Sequence, residues 1–331
     1  MTLYLHGLGH FHPENEISNA FLEGLDIGTD ETWILERVGI HSRRTTLPLE
    51  YIRSTRNRDP RAAQEATEYT HAEAGRRAAE MALARAGIAA RDVGMVIAGS
   101  SVMDTATPAE ACNIARALGI EAPALDVNSA CTSFFAQLHL VSLMRPEALP
   151  PFLLLVVSEA VTRAVDYNDR ASAVLWGDGA IAAVVSTTVP GRARILGSTL
   201  ASSPEAAERV VVPRTGHFRQ DGRVVQMFAI KKTAEVLRTL RARYREEDRQ
   251  LHFVGHQANL RMLEAVCREC EVPDDRHHAN VAWFGNTAGA GAPSVMSARW
   301  DQWNPTDDIA VVGVGAGFTW SGYLLRFEAA A

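Results

Sequence analysis

Val254-Gly255-His256-Gln257-Ala258-Asn259-Leu260-Arg261 lies where a strand pattern gives way to a helix pattern. Leu251 to Gly255 is a short apolar strand with a glycine at its end, and the polar Gln257 and Asn259 open a helix behind it. Such a junction presents side chains to a cleft. A neutral histidine there offers one N–H donor and exchanges protons close to neutrality.

Reading outward from His256, two further junctions carry chemistry. Asp126-Val127-Asn128 reads as a strand end and Thr132 to Leu143 as an amphipathic helix, which places Cys131 at a helix N-terminus. The positive end of the helix dipole lowers a thiol's pKa and raises its thiolate fraction. Small Ala130 beside it lets a substrate approach. A lone cysteine is more often a buried packing residue, and Cys112, inside the helical run Ala109 to Leu118, is read that way. Downstream, Asn286 stands between Gly285 and Thr287, with Gly289, Ala290 and Gly291 following. Asparagine after glycine is commonly a turn residue. The small residues behind it predict a tightly packed helix beneath a site, and a carboxamide N–H can stabilise an oxyanion. Gly313, Gly315 and Gly317 expose backbone N–H groups, as a plain strand-end loop does and as an oxyanion hole does.

The rest of the chain alternates strand and helix patterns. Asp92 to Ser100, Pro151 to Ser158 and Asp307 to Gly315 are apolar runs of strand length, and Ala72 to Ala86 has helical spacing. Continuous apolar strands between helices predict an α/β fold with a sheet covered on both faces. The strand–helix junction at Cys131 is echoed by the one at Gln257. That echo predicts two similar layered halves, 1–188 and 189–331, the first interrupted by a charged, proline-bounded surface excursion at about 45–68. A tail at Ala329–Ala331 is expected to fray.

Composition narrows the function class. The 331 residues are 47% hydrophobic and 22% charged, an ordinary globular balance. No apolar run reaches the roughly 18 residues of a membrane span, and Met1 to Gly7 reads as a first strand and not as a signal peptide. Four cysteines make no disulfide framework, so a reducing cytoplasm is expected. The net charge of -6 argues against nucleic acid as a partner. Basic clusters at Arg43-Arg44 with Arg53, Arg56, Arg58 and Arg61, and at Lys231-Lys232 with Arg238, Arg241 and Arg243, read as solvated faces or as a landing surface for an acidic partner. Cys267 and Cys270 lack the second pair a zinc site wants and read as helix packing. His6, His10, His12 and the His277-His278 pair lack partners for a metal, so none is expected.

A thiol, an imidazole and a carboxamide among small residues suit chemistry at a thioester. Together His-Gln-Ala-Asn-Leu-Arg at 256–261, Gly-Asn-Thr at 285–287 and Gly-Phe-Thr-Trp at 317–320 resemble the β-ketoacyl synthase III family of the thiolase superfamily, over about residues 3 to 327. The resemblance implies a thiolase-like layered α-β-α-β-α fold, a homodimer, and no cofactor beyond substrates carried on CoA or phosphopantetheine. It implies Cys131, His256 and Asn286 as the catalytic triad, and the N–H groups of Cys131 and Ala316 as the oxyanion hole. Trp33, Arg37, Asn259, Thr107 and Phe228 fall on the substrate and pantetheine channel. Arg261, Lys231 and Lys232 fall on the surface that meets an acyl carrier protein. The implied activity is a ping-pong condensation: Cys131 takes an acyl group, and a second thioester supplies the carbanion.

Three departures separate this chain from enzymes that start fatty-acid chains. Thr107 stands where a large aromatic often closes the acyl pocket from across the dimer. Gly255 replaces a proline, and the segment from Leu47 to about Glu68 is longer. They favour a specialised polyketide ketosynthase, such as those that join two carrier-bound chains into a pyrone in the myxopyronin and corallopyronin pathways. Fatty-acid initiation and acyl transfer to oxygen or nitrogen are the alternatives. An intact Cys131, His256 and Asn286 set argues against a non-enzymatic partner protein.

Overall fold

The structure, a computed structural model, describes residues 2–329; Met1 and the last two alanines of the 329–331 tail lie outside them. Nine strands form one mixed sheet: β1 (Leu3–Phe11), β2 (Val93–Gly99), β3 (Ala124–Asp126), β4 (Phe152–Glu159), β5 (Gly179–Ser186), β6 (Ala193–Ser202), β7 (Gln250–Gly255), β8 (Asp307–Gly315) and β9 (Thr319–Phe327). Their order across the sheet is β7-β8-β9-β6-β1-β5-β4-β2-β3. The apolar runs read from sequence are the central strands, and β4 and β5 are buried along nearly their whole length.

Strand periodicity divides the core into layers. On β4, Leu153, Leu155 and Val157 face one cluster, while Leu154 and Val156 face another. The second cluster packs under α1 (His71–Ala86) and α2 (Glu110–Leu118). The first gathers residues from both ends of the sheet around two central helices, α3 (Ser133–Leu143) and α6 (Gly291–Ala298). A third cluster lies under α4 (Gly222–Tyr244) and α5 (Leu260–Cys270), against β8. The result is the layered α-β-α-β-α arrangement of a thiolase-like fold. The sheet bends around the central helices, and its two groups of strands meet where β1 pairs with β6 over only Leu3–Leu5.

The strand pairing repeats. β2 runs parallel to β4, β4 antiparallel to β5, and β5 antiparallel to β1. β7 runs parallel to β8, β8 antiparallel to β9, and β9 antiparallel to β6. β3 extends the first group, and a parallel bridge from Phe253 to His277 takes the same place in the second. This corrects the expected echo. The partner of the Cys131 turn is not the Gln257 junction but the Asn286 turn. The two carry Asn128-Ser129-Ala130-Cys131 and Asn286-Thr287-Ala288-Gly289, and in each the asparagine Oδ1 accepts from the alanine N–H at 2.9 Å. Both alanines adopt positive φ, 48° and 46°. For a non-glycine residue that conformation is held by its surroundings.

Other expectations also change. Segment 45–68 is not a surface excursion. It folds into helices Leu49–Thr55 and Pro60–Ala66, burying Leu47, Ile52 and Ala63. Buried Asn57 donates to the carbonyls of Arg163 and Val165 and so locks the segment to the body. Helix α3 is not amphipathic over its first turns: Ser133 to Leu138 are all buried, as a helix central to the layers must be. Cys112 sits on α2 but is exposed and not a core residue. Cys267 and Cys270 lie on α5, half-buried and buried, and pack as expected.

Candidate active site

Eight chain segments converge on one cavity of about 330 Å³. Cys131, His256, Asn286 and Ala316 all lie on its wall, although 185 positions separate the first from the last (316 − 131). Toward the mouth stand Trp33, Arg37 and Asn259, and α4 contributes Phe228. Trp176 and Phe218, packed edge to face at 4.7 Å, complete an apolar wall that sequence reasoning missed.

Cys131 sits in a single 3-10 turn, Ala130–Thr132, ahead of α3. Gly315 is what lets β8 approach it: a Cβ at Gly315 would lie 3.2 Å from Cys131 N and 3.3 Å from Cys131 Cβ. The Cys131 and Ala316 N–H groups favour the thiolate, as a helix start should, but burial outweighs them. Together with the charge of Glu159 it pushes the thiol up to about 12. The expected lowering is therefore reversed in the resting site. His256 is likewise not poised near neutrality: burial pushes it down to about 4. The two groups rest as neutral thiol and neutral imidazole.

Asn286 is fixed from both sides. Its N–H donates to Leu175 O at 2.8 Å, and its carbonyl accepts from Gly177 N–H at 3.0 Å. With Oδ1 bound to Ala288, among the described residues the Nδ2 donors and the His256 ring have no partner within the chain and are available in the cavity. Gln257, buried behind His256, aligns the two turns. Its Nε2 donates to Gly255 O, and its Oε1 accepts from Asn280 N–H and Val281 N–H, at the start of the short helix that leads to Asn286. The loop carrying Ala316 has two successive positive φ values, at Gly317 (73°) and Phe318 (45°), and Phe318 stacks on Phe228 at 4.1 Å.

The mouth carries more positive charge than was expected from Arg37 alone. The guanidinium of Arg170 lies 4.8 Å from the Trp33 ring centre and that of Arg37 5.9 Å. Arg170 stands far from Trp33 in the sequence, and no local pattern signals the pairing. Lys232 lies over Trp320 at 4.5 Å and pairs with Glu235, while Lys231 is exposed. Arg261 is exposed but engaged, donating to Leu35 O and to Glu264, which leaves less of it for an acidic partner. Thr107 is exposed on the loop after β2 and lies outside the cavity of the single chain. Among the described residues, only His71, Asp104 and Glu110 bring ligand-type atoms within metal-binding range. Asp104 there is paired at 2.7 Å with buried Arg163, a cation already in place.

Residues 125–204 match the family model of 3-oxoacyl-[acyl-carrier-protein (ACP)] synthase III, and residues 241–327 match that of its C-terminal part. A β-ketoacyl-[acyl-carrier-protein] synthase III of Oleidesulfovibrio alaskensis is 31% identical over 351 residues, spanning 98% of each chain. The 3-oxoacyl-[acyl-carrier-protein] synthase III of Aquifex aeolicus VF5 superposes with a TM-score of 0.86 at 26% identity, over 98% of this chain and 100% of that one. The priming β-ketosynthase of the R1128 polyketide biosynthetic pathway does so at 0.82 and 26%, over 98% and 96%. With its layered fold and a cavity that gathers thiol, imidazole and carboxamide, this chain belongs to the β-ketoacyl-[acyl-carrier-protein] synthase III family of condensing enzymes.

Proposed function

We propose that the cavity performs a two-step condensation with Cys131 as nucleophile and His256 and Asn286 as the donors that stabilise an enolate. The observation that carries this reading is the convergence of Cys131 with two otherwise unpartnered donors, the His256 ring and Asn286 Nδ2, in one largely apolar cavity. In the first step Cys131 Sγ attacks an acyl thioester, and the tetrahedral oxyanion takes hydrogen bonds from Cys131 N–H and Ala316 N–H. Collapse forms the Cys131 thioester and breaks the donor carbon–sulfur bond, and the donor sulfur leaves as thiol with the proton that Cys131 gave up. In the second step the carbonyl of a further thioester lies against His256 and Asn286. Loss of carbon dioxide or of a proton leaves an enolate whose carbon attacks the acyl-Cys131 carbonyl; the carbon–sulfur bond breaks, the product leaves, and the Cys131 thiolate returns to thiol by taking a proton from water or the one removed from the substrate. A neutral His256 suits this work, because it must donate a hydrogen bond without first giving up a charge.

Acyl-CoA or an acyl carrier protein is the proposed donor. Trp33, Arg37 and Arg170 would receive the nucleotide or pantetheine arm, and Lys231, Lys232 and the free edge of Arg261 an acidic carrier. No cofactor is required by these steps. We place the pathway in polyketide or other specialised metabolism, with pyrones made by joining two chains among its products; the small Thr107 supports this. Initiation of fatty-acid synthesis is the second reading, favoured by the naming of the relatives as β-ketoacyl-[acyl-carrier-protein] synthase III. We read 1–188 and 189–331 as the two halves, which the repeated pairing supports, and the protein as cytoplasmic. A homodimer is supported by β3, which ends the sheet with Leu125 39% exposed. No helix is long and apolar enough to cross a membrane.

Intact-protein mass spectrometry after incubation with a panel of acyl thioesters tests the reading. The expected result is a single acyl adduct that maps to Cys131 and vanishes in Cys131→Ala. An adduct that survives in Cys131→Ala overturns it.

A further inference from the structure

Glu159 closes β4 inside the core, 2% exposed, and the condensation scheme gives it no work. Its position follows from the repeat. β4 corresponds to β8, so Glu159 at the end of β4 corresponds to Gly315 at the end of β8, and Gly289 corresponds to Cys131. Gly315 abuts Cys131, and Glu159 abuts Gly289: a Cβ at Gly289 would lie 3.2 Å from Glu159 Oε1 and 3.2 Å from Ala130 O. The carboxyl therefore occupies, in one half, the place that the oxyanion loop occupies in the other. Its hydrogen bonds reach two functional segments and place it beside a third. Oε2 accepts from Ser101 N–H at 2.8 Å, and Oε1 accepts from Ser101 Oγ–H at 3.1 Å and from Gly289 N–H at 3.3 Å. Ser101 begins the loop that carries Thr107, Gly289 belongs to the Asn286 turn, and the Ala130–Cys131 turn lies alongside.

We propose that Glu159 is a positioning residue that governs Cys131: ionised, it opposes the thiolate across the buried Gly289–Ala130 contact, and protonated, it releases it. The inference rests on Cys131 being the nucleophile. Its three hydrogen bonds all come from donors, so the pocket accommodates the carboxylate, yet burial pushes the group up to about 8, with Asp178 adding to the rise. The same Coulombic contact appears on the thiol, which Glu159 helps to raise. The other charged groups around Glu159 are held by partners of their own. Asp178, from the turn before β5, is tied up by Thr46 and Thr162. His71 and Asp104 lie beyond Ser100, to which His71 Nε2 bonds, and are paired with Arg163. The Ala288–Gly291 turn contributes only backbone.

Two coupled acids leave a distinct signature. While Glu159 is neutral, the rate of thiolate attack rises tenfold per pH unit. Once Glu159 ionises, the thiol pKa is raised by the coupling, so the profile flattens locally around about pH 8 and then resumes its rise, displaced to lower rate by that coupling. The experiment is alkylation of Cys131 by iodoacetamide between pH 6 and 10 (roughly the range that brackets both limbs), followed by mass spectrometry of the full chain. Wild type should show the flattening. Glu159→Gln should give a straight line and, for a coupling of half a pKa unit, about threefold faster labelling on the alkaline side. Ser101→Ala keeps the carboxyl but removes a donor to its charged form, so the flattening should move to higher pH. That shift distinguishes control of the thiol from structural support and stands even if Glu159→Gln folds poorly. A straight wild-type profile, or a flattening unmoved in both variants, overturns the inference. Absence of any label on Cys131 would instead count against the nucleophile itself.

Discussion

Replacing Asn286 should separate the two half-reactions. In the folded chain Oδ1 is bound to Ala288 N–H at 2.9 Å, so the only group that Asn286 can lend to a substrate is Nδ2. Asn286→Ala removes that donor and also strands the Ala288 N–H, which is buried; the second loss costs about 1–3 kcal/mol of stability. Asn286→Asp keeps an acceptor for Ala288 but donates nothing, and a carboxylate there would repel an enolate. Loss of one donor aimed at a developing oxyanion costs about 3 kcal/mol, or roughly 100-fold in rate. Condensation should therefore fall by at least about 100-fold in both variants. Loading should survive in both, because the first step uses the N–H groups of Cys131 and Ala316. The assay pairs intact mass of the acyl-enzyme with detection of the condensed product in a single turnover. Wild-type condensation by either variant, or loss of loading equal to the loss of condensation in both, refutes the division of labour.

Three further outcomes follow from the geometry. The unfolded chain protonates His256 from about pH 6.5 downward but the folded chain only from about 4, so the stability carried by neutral His256 is complete above 6.5 and is lost as pH falls between those values; urea midpoints at about pH 7 and about pH 5, above that window and inside it, should differ more in wild type than in His256→Gln. Trp33→Ala should raise KM for acyl-CoA by up to about tenfold, through a lost stacking surface of about 1 kcal/mol or more, and leave KM for acyl-pantetheine, which has no base, unchanged. Thr107→Phe should suppress loading of long acyl chains and spare acetyl in a competition assay, because each buried methylene contributes about 0.8 kcal/mol that added bulk would forfeit; an unchanged acetyl preference in both proteins would return the chain to the fatty-acid initiation class.

The sequence carried most of the architecture because the layers bury strands on both faces. Apolar runs such as Leu153–Val157 could only be central strands, and small residues from Ala288 to Ala292 could only be a helix pressed against others. The converging residues were legible for a related reason: Cys131, His256 and Ala316 each follow a strand, and strand ends on one side of a sheet gather in space, while Asn286 follows the short helix Val281–Phe284. What was lost depended on depth. Dipole arguments place a thiolate at Cys131, yet its burial reverses the direction, and nothing local reports burial. The same holds for His256. Segment 45–68 looked like a loop because its prolines and charges mark the helix starts, whereas the few residues that anchor it, above all Asn57, do so through distant carbonyls.

One signal was present and passed over. Asn-Ser-Ala-Cys at 128–131 and Asn-Thr-Ala-Gly at 286–289 are the same turn written twice. In the first copy the fourth residue became the nucleophile, and in the second it stayed small. The first residue, Asn286, turned its free amide into the cavity in the second copy, while Asn128 in the first is exposed. Each half thus supplies what the other omits, and the chemistry belongs to the seam between them. Glu159 makes sense only at that seam. Read along its own strand it is a polar residue ending an apolar run, the commonest of strand ends. Set against Gly315 it is the place where one half keeps a charge and the other leaves room for a substrate oxygen. A carboxyl held within reach of Ser101 and Gly289, and against the turn of Cys131, sits where the two halves can affect one another.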